Sequence, residues 1–126
     1  MSSLEGVRVL LVEDESLVAM LLETILEDAG CVVVGPAGRL SDAMTLVEAG
    51  GFDAALLDVN VGGEPVFPVA EALAARGAPF AFSSGYGAGG LPPGWAGRPV
   101  VAKPFDEAGV LGALREALLR SPSGRA

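Results

Sequence analysis

Val7 to Val12 reads Val-Arg-Val-Leu-Leu-Val, mostly apolar and β-branched, without alternation. That is the pattern of a strand covered on both faces of its sheet. From Ser16 the period changes. Leu17, Leu21, Leu22, Ile25 and Ala29 recur every three to four residues, with Glu23, Glu27 and Asp28 on the other side. This predicts an amphipathic helix, closed by Gly30. Cys31 to Val34 predicts a second strand, broken by Gly35-Pro36-Ala37-Gly38. The alternation then continues. Leu40, Ala43, Met44 and Val47 mark a helix that stops at Gly50-Gly51, and residues 53–58 form a third strand. Val66, Val69, Ala70 and Leu73 mark another helix, whose opening turn accommodates Pro65 and Pro68. Residues 79–84 and 99–102 are the fourth and fifth strands. A last helix runs from about Asp106, its N-cap, with Val110, Leu111, Leu114, Ala117 and Leu118 as the buried stripe.

One interval breaks the rhythm. Residues 85–95, Gly-Tyr-Gly-Ala-Gly-Gly-Leu-Pro-Pro-Gly-Trp, stand where a fourth helix belongs. Each glycine costs a helix about 1 kcal/mol, and an interior proline about 3 kcal/mol, relative to alanine. A loop is expected, with a turn or two of helix near Pro93–Ala96.

Five strand–helix units in 126 residues predict a single α/β domain over residues 1–120, with parallel strands and helices on both faces. Residues 121–126 read as a disordered tail, and their quick taper favours a complete short protein over an excised piece. The expected architecture is flavodoxin-like, (βα)5 in strand order 2-1-3-4-5, with an irregular or shortened fourth helix. That order sets the ends of strands one, three and four side by side, and ligands of such sheets bind beyond the carboxyl ends of the strands.

Charge and composition narrow the chemistry. A net charge of −8 argues against a nucleic-acid backbone as partner. The chain has no histidine and one cysteine, Cys31, so it builds neither a Cys/His metal site nor an intrachain disulfide. No apolar run reaches the roughly 18 residues of a membrane span, and the first residues do not resemble a signal segment. A cytoplasmic location is the default expectation.

The informative stretch is "ALLDVNVGGE", positions 55–64, where an apolar strand ends on Asp58. Except for strand two, which ends in Gly35-Pro36 and offers nothing, the other strands deliver polar groups to the same edge. Strand one brings Glu13 and Asp14, strand three Asp58 and Asn60, strand four Ser83 and Ser84, and strand five Lys103. Two like charges about 4 Å apart cost roughly 1 kcal/mol even in bulk water. Three such carboxylates call for a cation. Hard oxygens in small number suit Mg²⁺, with Mn²⁺ as the alternative. Calcium fits less well without a dedicated loop, and zinc is disfavoured without thiolate or imidazole. A carboxylate beside such a cation is a nucleophile suited to phosphorus. The transferred group's three equatorial oxygens would then be met by the metal, by Lys103, and by Ser84 with a backbone N–H. Gly62 and Gly63 let the loop after Asp58 fold close to the phosphate.

The acidic pair in "LLVEDES", the acceptor in "ALLDVNVGGE", the hydroxyl in "PFAFSSGYG" and the lysine in "VVAKPF" together resemble the receiver domain of two-component response regulators, over roughly residues 6–120. The resemblance implies that Asp14 binds the metal directly with Glu13 as its outer partner, and that the Asn60 backbone carbonyl completes the ligands. It makes Asp58 the phosphorylated residue, Ser84 the switch hydroxyl and Lys103 the phosphate-contacting lysine. Pro104 stands where the family commonly has a cis peptide. Two departures accompany these matches. Val100 occupies the position of the usual switch aromatic, and a glycine-rich stretch follows Ser84. That stretch, together with "PFAFSSGYG", resembles a subgroup of single-domain alphaproteobacterial regulators with a Phe-Ala-Thr-Gly-Tyr-like motif, in which Tyr86 would share the signalling role. The implied partners are a sensor histidine kinase or histidine phosphotransfer protein and a downstream protein target. Neither nucleic acid nor membrane is expected as a partner. Such a protein catalyses its own modification and is a regulator rather than a metabolic enzyme. The competing reading is a receiver-like interaction module that works without phosphorylation. A small phosphate-ester hydrolase would need a general acid and a substrate pocket that the sequence does not display.

Overall fold

The computed structural model describes residues 4–85, 87–103 and 105–120. In chain order its elements are β1 (Arg8–Val12), α1 (Ser16–Asp28), β2 (Val32–Ala37), α2 (Leu40–Ala49), β3 (Ala54–Asp58), β4 (Asn60–Val61), β5 (Glu64–Pro65), α3 (Phe67–Ala75), β6 (Phe80–Ser84), β7 (Val100–Ala102) and α4 (Glu107–Arg120). Two 3₁₀ turns, Gly87–Gly90 and Pro93–Trp95, lie between β6 and β7. The main sheet is parallel throughout, in the order β2-β1-β3-β6-β7. This is the flavodoxin-like order expected from the sequence, β6 and β7 being the fourth and fifth strands.

Period-two alternation sends the strand residues into two cores. Val9, Leu11, Leu56, Ala81 and Val101 pack with Leu22, Leu26, Val110 and Leu114 on the α1/α4 side. Leu10, Val12, Leu57, Phe80 and Phe82 pack with Val47, Val69 and Leu73 on the α2/α3 side. Because both faces are covered, the strands carry no polar alternation until their carboxyl ends.

Three details differ from the sequence reading. In α1 the face turned to the sheet is Ala19, Leu22, Ile25 and Leu26, while Leu17 and Leu21 are exposed. Leu22 and Ile25 are common to the expected and observed faces, whereas the small Ala19 and Leu26 take the inward places that apolar spacing gave to Leu17 and Leu21. β2 does not stop at Gly35-Pro36; it continues to Ala37, whose carbonyl accepts the Glu13 N–H at 2.9 Å. The register shifts between Leu10 and Val12, with Gly35 at φ +102°. An edge strand tolerates a bulge and a residue without an N–H, which a central strand would not. Finally, the loop after Asp58 forms a small antiparallel hairpin, β4 on β5, turned by Gly62 and Gly63 at positive φ.

The fourth helix is absent as expected, and the two 3₁₀ turns replace it. Its covering role falls to Leu91 and Trp95, which pack on the α2/α3-side core. The indole stands 6.0 Å from the rings of Phe67, Phe80 and Phe82. One large side chain thereby replaces a helix face that glycine and proline cannot build.

Asp106 caps α4 as anticipated: its Oδ1 accepts the Gly109 N–H at 2.7 Å. Asp106→Ala should lower stability by about 1 kcal/mol, read as a lower urea midpoint with an unchanged slope. Among the described residues, no helix is long and apolar enough to cross a membrane.

Candidate functional site

Strand register assembles the site. Val12 of β1 pairs with Leu57 of β3, so the next residues, Glu13 and Asp58, come side by side. Asp14 follows, and one carboxylate oxygen from each of the three lies within 4.8 Å of the others. Asp14, Asp58, Asn60, Ser84 and Lys103 line an open cavity of about 520 Å³ beyond the carboxyl ends of the strands. Every strand-end group singled out in the sequence for metal or phosphate chemistry is thus in or against one hollow.

The three acids differ in environment. Asp14 is exposed, and its Oδ2 accepts the Gly62 N–H at 2.9 Å, tying the hairpin to the end of β1. Gly62 sits at φ +61°, where L side chains are strained. Asp58 is buried, with its Oδ2 3.5 Å from Lys103 Nζ and the Asn60 N–H 3.5 Å from its Oδ1. Glu13 is only 2% exposed. Its Oε2 accepts the Glu15 N–H at 3.1 Å, while Oε1 is buried without a hydrogen-bond partner among the described residues. Burial, with the Asp58 charge adding to it, pushes the Glu13 carboxyl up to about 7, against the opposing pull of the Glu15 N–H and Lys103.

Lys103 is anchored at the other side of the hollow. Its backbone N–H donates to the Ser84 carbonyl at 3.1 Å, which fixes its start beside β6. Its ammonium reaches Asp58 and lies 5.9 Å from the Phe105 ring centre. In the sequence Phe105 stands only as the last residue of "VVAKPF", with no role of its own. Val100 pairs with Phe82 and is half-buried against the α2/α3-side core. Tyr86, Pro104 and the tail 121–126 lie outside the described residues.

The donor set fits a hard divalent cation. Three carboxylate oxygens converge from two strand ends, and Glu13 Oε1 is a buried carboxyl oxygen without a hydrogen-bond donor among the described residues. Carboxylate oxygens of this number and type are what Mg²⁺ takes while keeping several waters.

A doubly wound parallel sheet with an acidic hollow and a facing lysine at its carboxyl edge defines a narrow class of signalling folds. The family profile described as "Response regulator receiver domain" matches residues 9–79. The chain belongs to the response regulator receiver domain family. Among solved structures it is similar to SdrG from Sphingomonas melonis Fr1, with 48% identity, a TM-score of 0.81, and coverage of 94% of this chain and 99% of that one. It is also similar to the BeF3-activated conformation of SdrG from Pseudomonas melonis Fr1, at 47% identity, TM-score 0.77 and the same coverage of 94% and 99%. The response regulator PhyR from Brucella abortus matches at 26% identity and TM-score 0.77, over 95% of this chain and 51% of that one. No match was found among curated protein sequences.

Proposed function

We propose that this receiver domain is a phosphoacceptor that takes a phosphoryl group onto Asp58 from a histidine kinase or a histidine phosphotransfer protein. The observation that carries the reading is the setting of Asp58: buried, 3.5 Å from the one facing ammonium, and within 4.8 Å of two further carboxylates. A relative 47% identical to this chain has been solved in a BeF3-activated conformation, which supports the same reading.

Glu13, Asp14, Asp58 and the Asn60 carbonyl would hold Mg²⁺. When bound, that ion neutralises the acids and the phosphoryl oxygens so that an anionic nucleophile can approach an anionic donor. An Asp58 carboxylate oxygen attacks phosphorus, and the bond from phosphorus to the donor imidazole nitrogen breaks, with its electron pair left on that nitrogen. Lys103 leaves its ion pair with the carboxylate and holds a phosphoryl oxygen instead. Ser84, at the end of β6, supplies a hydroxyl to another. Hydrolysis reverses the modification: water adds to phosphorus, and the bond to the Asp58 oxygen breaks, releasing inorganic phosphate and the free carboxylate.

The added charge draws Lys103 and Ser84 inward and repositions the segment between β6 and β7. With valine at position 100, Tyr86 is the aromatic proposed to share in that signal, which leaves through protein–protein contacts in the cytoplasm. The test is incubation with acetyl phosphate and Mg²⁺ followed by intact mass. One added phosphoryl group is expected, absent with EDTA and absent in D58N. An unmodified parent protein would instead mark a receiver-like interaction module that acts without phosphorylation.

A further inference from the structure

β6 ends in two hydroxyls, and the proposed mechanism uses only Ser84. Ser83 is 1% exposed, and its Oγ has no hydrogen-bond partner among the described residues. A buried hydroxyl without a partner is disfavoured, so its presence asks for a physical reason. Register supplies one. Ser83 pairs with Asp58 on one side and with Val101 on the other. Paired residues of parallel strands project to the same face, as do residues two apart along a strand. Asp58 and Ser83 are therefore level with Val101 on the α1/α4 face, and Lys103 follows on that face two residues beyond Val101, with Ser83 on the strand between it and Asp58. To bring its ammonium within 3.5 Å of Asp58, the Lys103 side chain has to span β6, the strand that carries Ser83. That ammonium has three donors, and its one ion pair among the described residues is with Asp58.

We propose that Ser83 is a positioning residue for Lys103: its Oγ accepts a hydrogen bond from the ammonium as the lysine shifts from the Asp58 carboxylate to the phosphoryl group. The hydroxyl lies on the strand that Lys103 spans to reach Asp58, where an apolar side chain would offer the ammonium nothing. It orients the two Lys103 donors left over, so that the third meets the phosphoryl oxygen. This role rests on the reading of Asp58 as the phosphoacceptor and assigns a residue that acts through Lys103 rather than on the phosphoryl group itself.

Lys103 is the only lysine in the chain, so protein labelled with [¹⁵N]lysine reports one ammonium. The experiment compares wild type, S83A and S83C with acetyl phosphate and Mg²⁺, measuring the phosphorylation rate by intact mass and the Nζ signal in the phosphorylated state. Loss of one hydrogen bond to a charged group should slow phosphorylation about tenfold in both variants. The Nζ resonance, sharp and protected from exchange in the wild type, should broaden or vanish in both. Urea midpoints should stay equal or rise, because an unpartnered hydroxyl has been removed. Sulfur fills the serine volume but accepts weakly, so an S83C that behaves as wild type while S83A is slow would mean packing and overturn the proposal. Wild-type rates and an unchanged Nζ signal in both variants would overturn it as well. A wild type that takes no phosphoryl group would overturn the acceptor reading itself, a different and recognisable result.

Discussion

Phe82→Ala will lower the unfolding free energy by about 3–5 kcal/mol, the usual cost of deleting a buried aromatic ring. Phe82 is fully buried and meets three other rings edge-on, with centroids 5.8 Å from Phe67, 5.4 Å from Phe80 and 6.0 Å from Trp95. The cost depends on whether the surroundings can close the cavity. Here the cover over this face is a segment of 3₁₀ turns with Trp95 as its anchor, held by packing rather than by a helical hydrogen-bond ladder. Removing the central ring takes away the surface against which the indole rests. The urea midpoint should fall sharply, whereas Leu119→Ala, at a position 84% exposed, should move stability by no more than about 0.5 kcal/mol. A loss below about 1 kcal/mol at Phe82 would show that Trp95 collapses into the gap and that the segment is far more adaptable than its contacts imply.

Glu13→Gln will act in the opposite direction. In metal-free protein the Glu13 carboxyl is raised from its ordinary value of 4.5 to about 7, chiefly by burial. Between those two pH values the folded state holds a proton that the unfolded chain has released. Stability from this group is therefore full below pH 4.5 and is lost as pH rises through 7. A shift of this size corresponds to about 3 kcal/mol, and water at the open mouth of the cavity reduces it toward about 1–2 kcal/mol. In EDTA at pH 8, E13Q should exceed the wild type by that amount, and at pH 4 the two should be nearly equal. Magnesium should reverse the order, since the ion, held as proposed, would stabilise the wild type by mass action and the neutral amide less. A parallel pH dependence of E13Q and wild type in EDTA would place the Glu13 carboxyl in water and remove the argument for its charge strain.

The architecture was readable because the strands are buried on both faces. Runs such as Ala54–Leu57 admit only one interpretation when amphipathic helices alternate with them, and the polar groups then mark the strand ends. The loss of the fourth helix was equally plain from its glycines and prolines. The sequence misplaced what depends on neighbours rather than on the chain itself. Leu17 and Leu21 satisfy a helical period as well as Ala19 and Leu26 do, and only the opposing sheet selects between them. Gly35-Pro36 breaks a strand unless that strand is at an edge, a fact of tertiary arrangement. At the site, the convergence of Glu13, Asp14, Asp58, Ser84 and Lys103 followed from strand order. The Gly62 N–H on Asp14, the depth of Glu13 and the alignment of Ser83 with Asp58 did not, because register and loop closure leave no periodic trace.

Trp95 is the only tryptophan, and it lies against Phe82, two residues ahead of Ser84. The domain therefore contains an intrinsic fluorophore on the segment whose rearrangement would convey the signal. Its emission offers a label-free optical gauge of switching, in real time and at low concentration, with no second indole to obscure it.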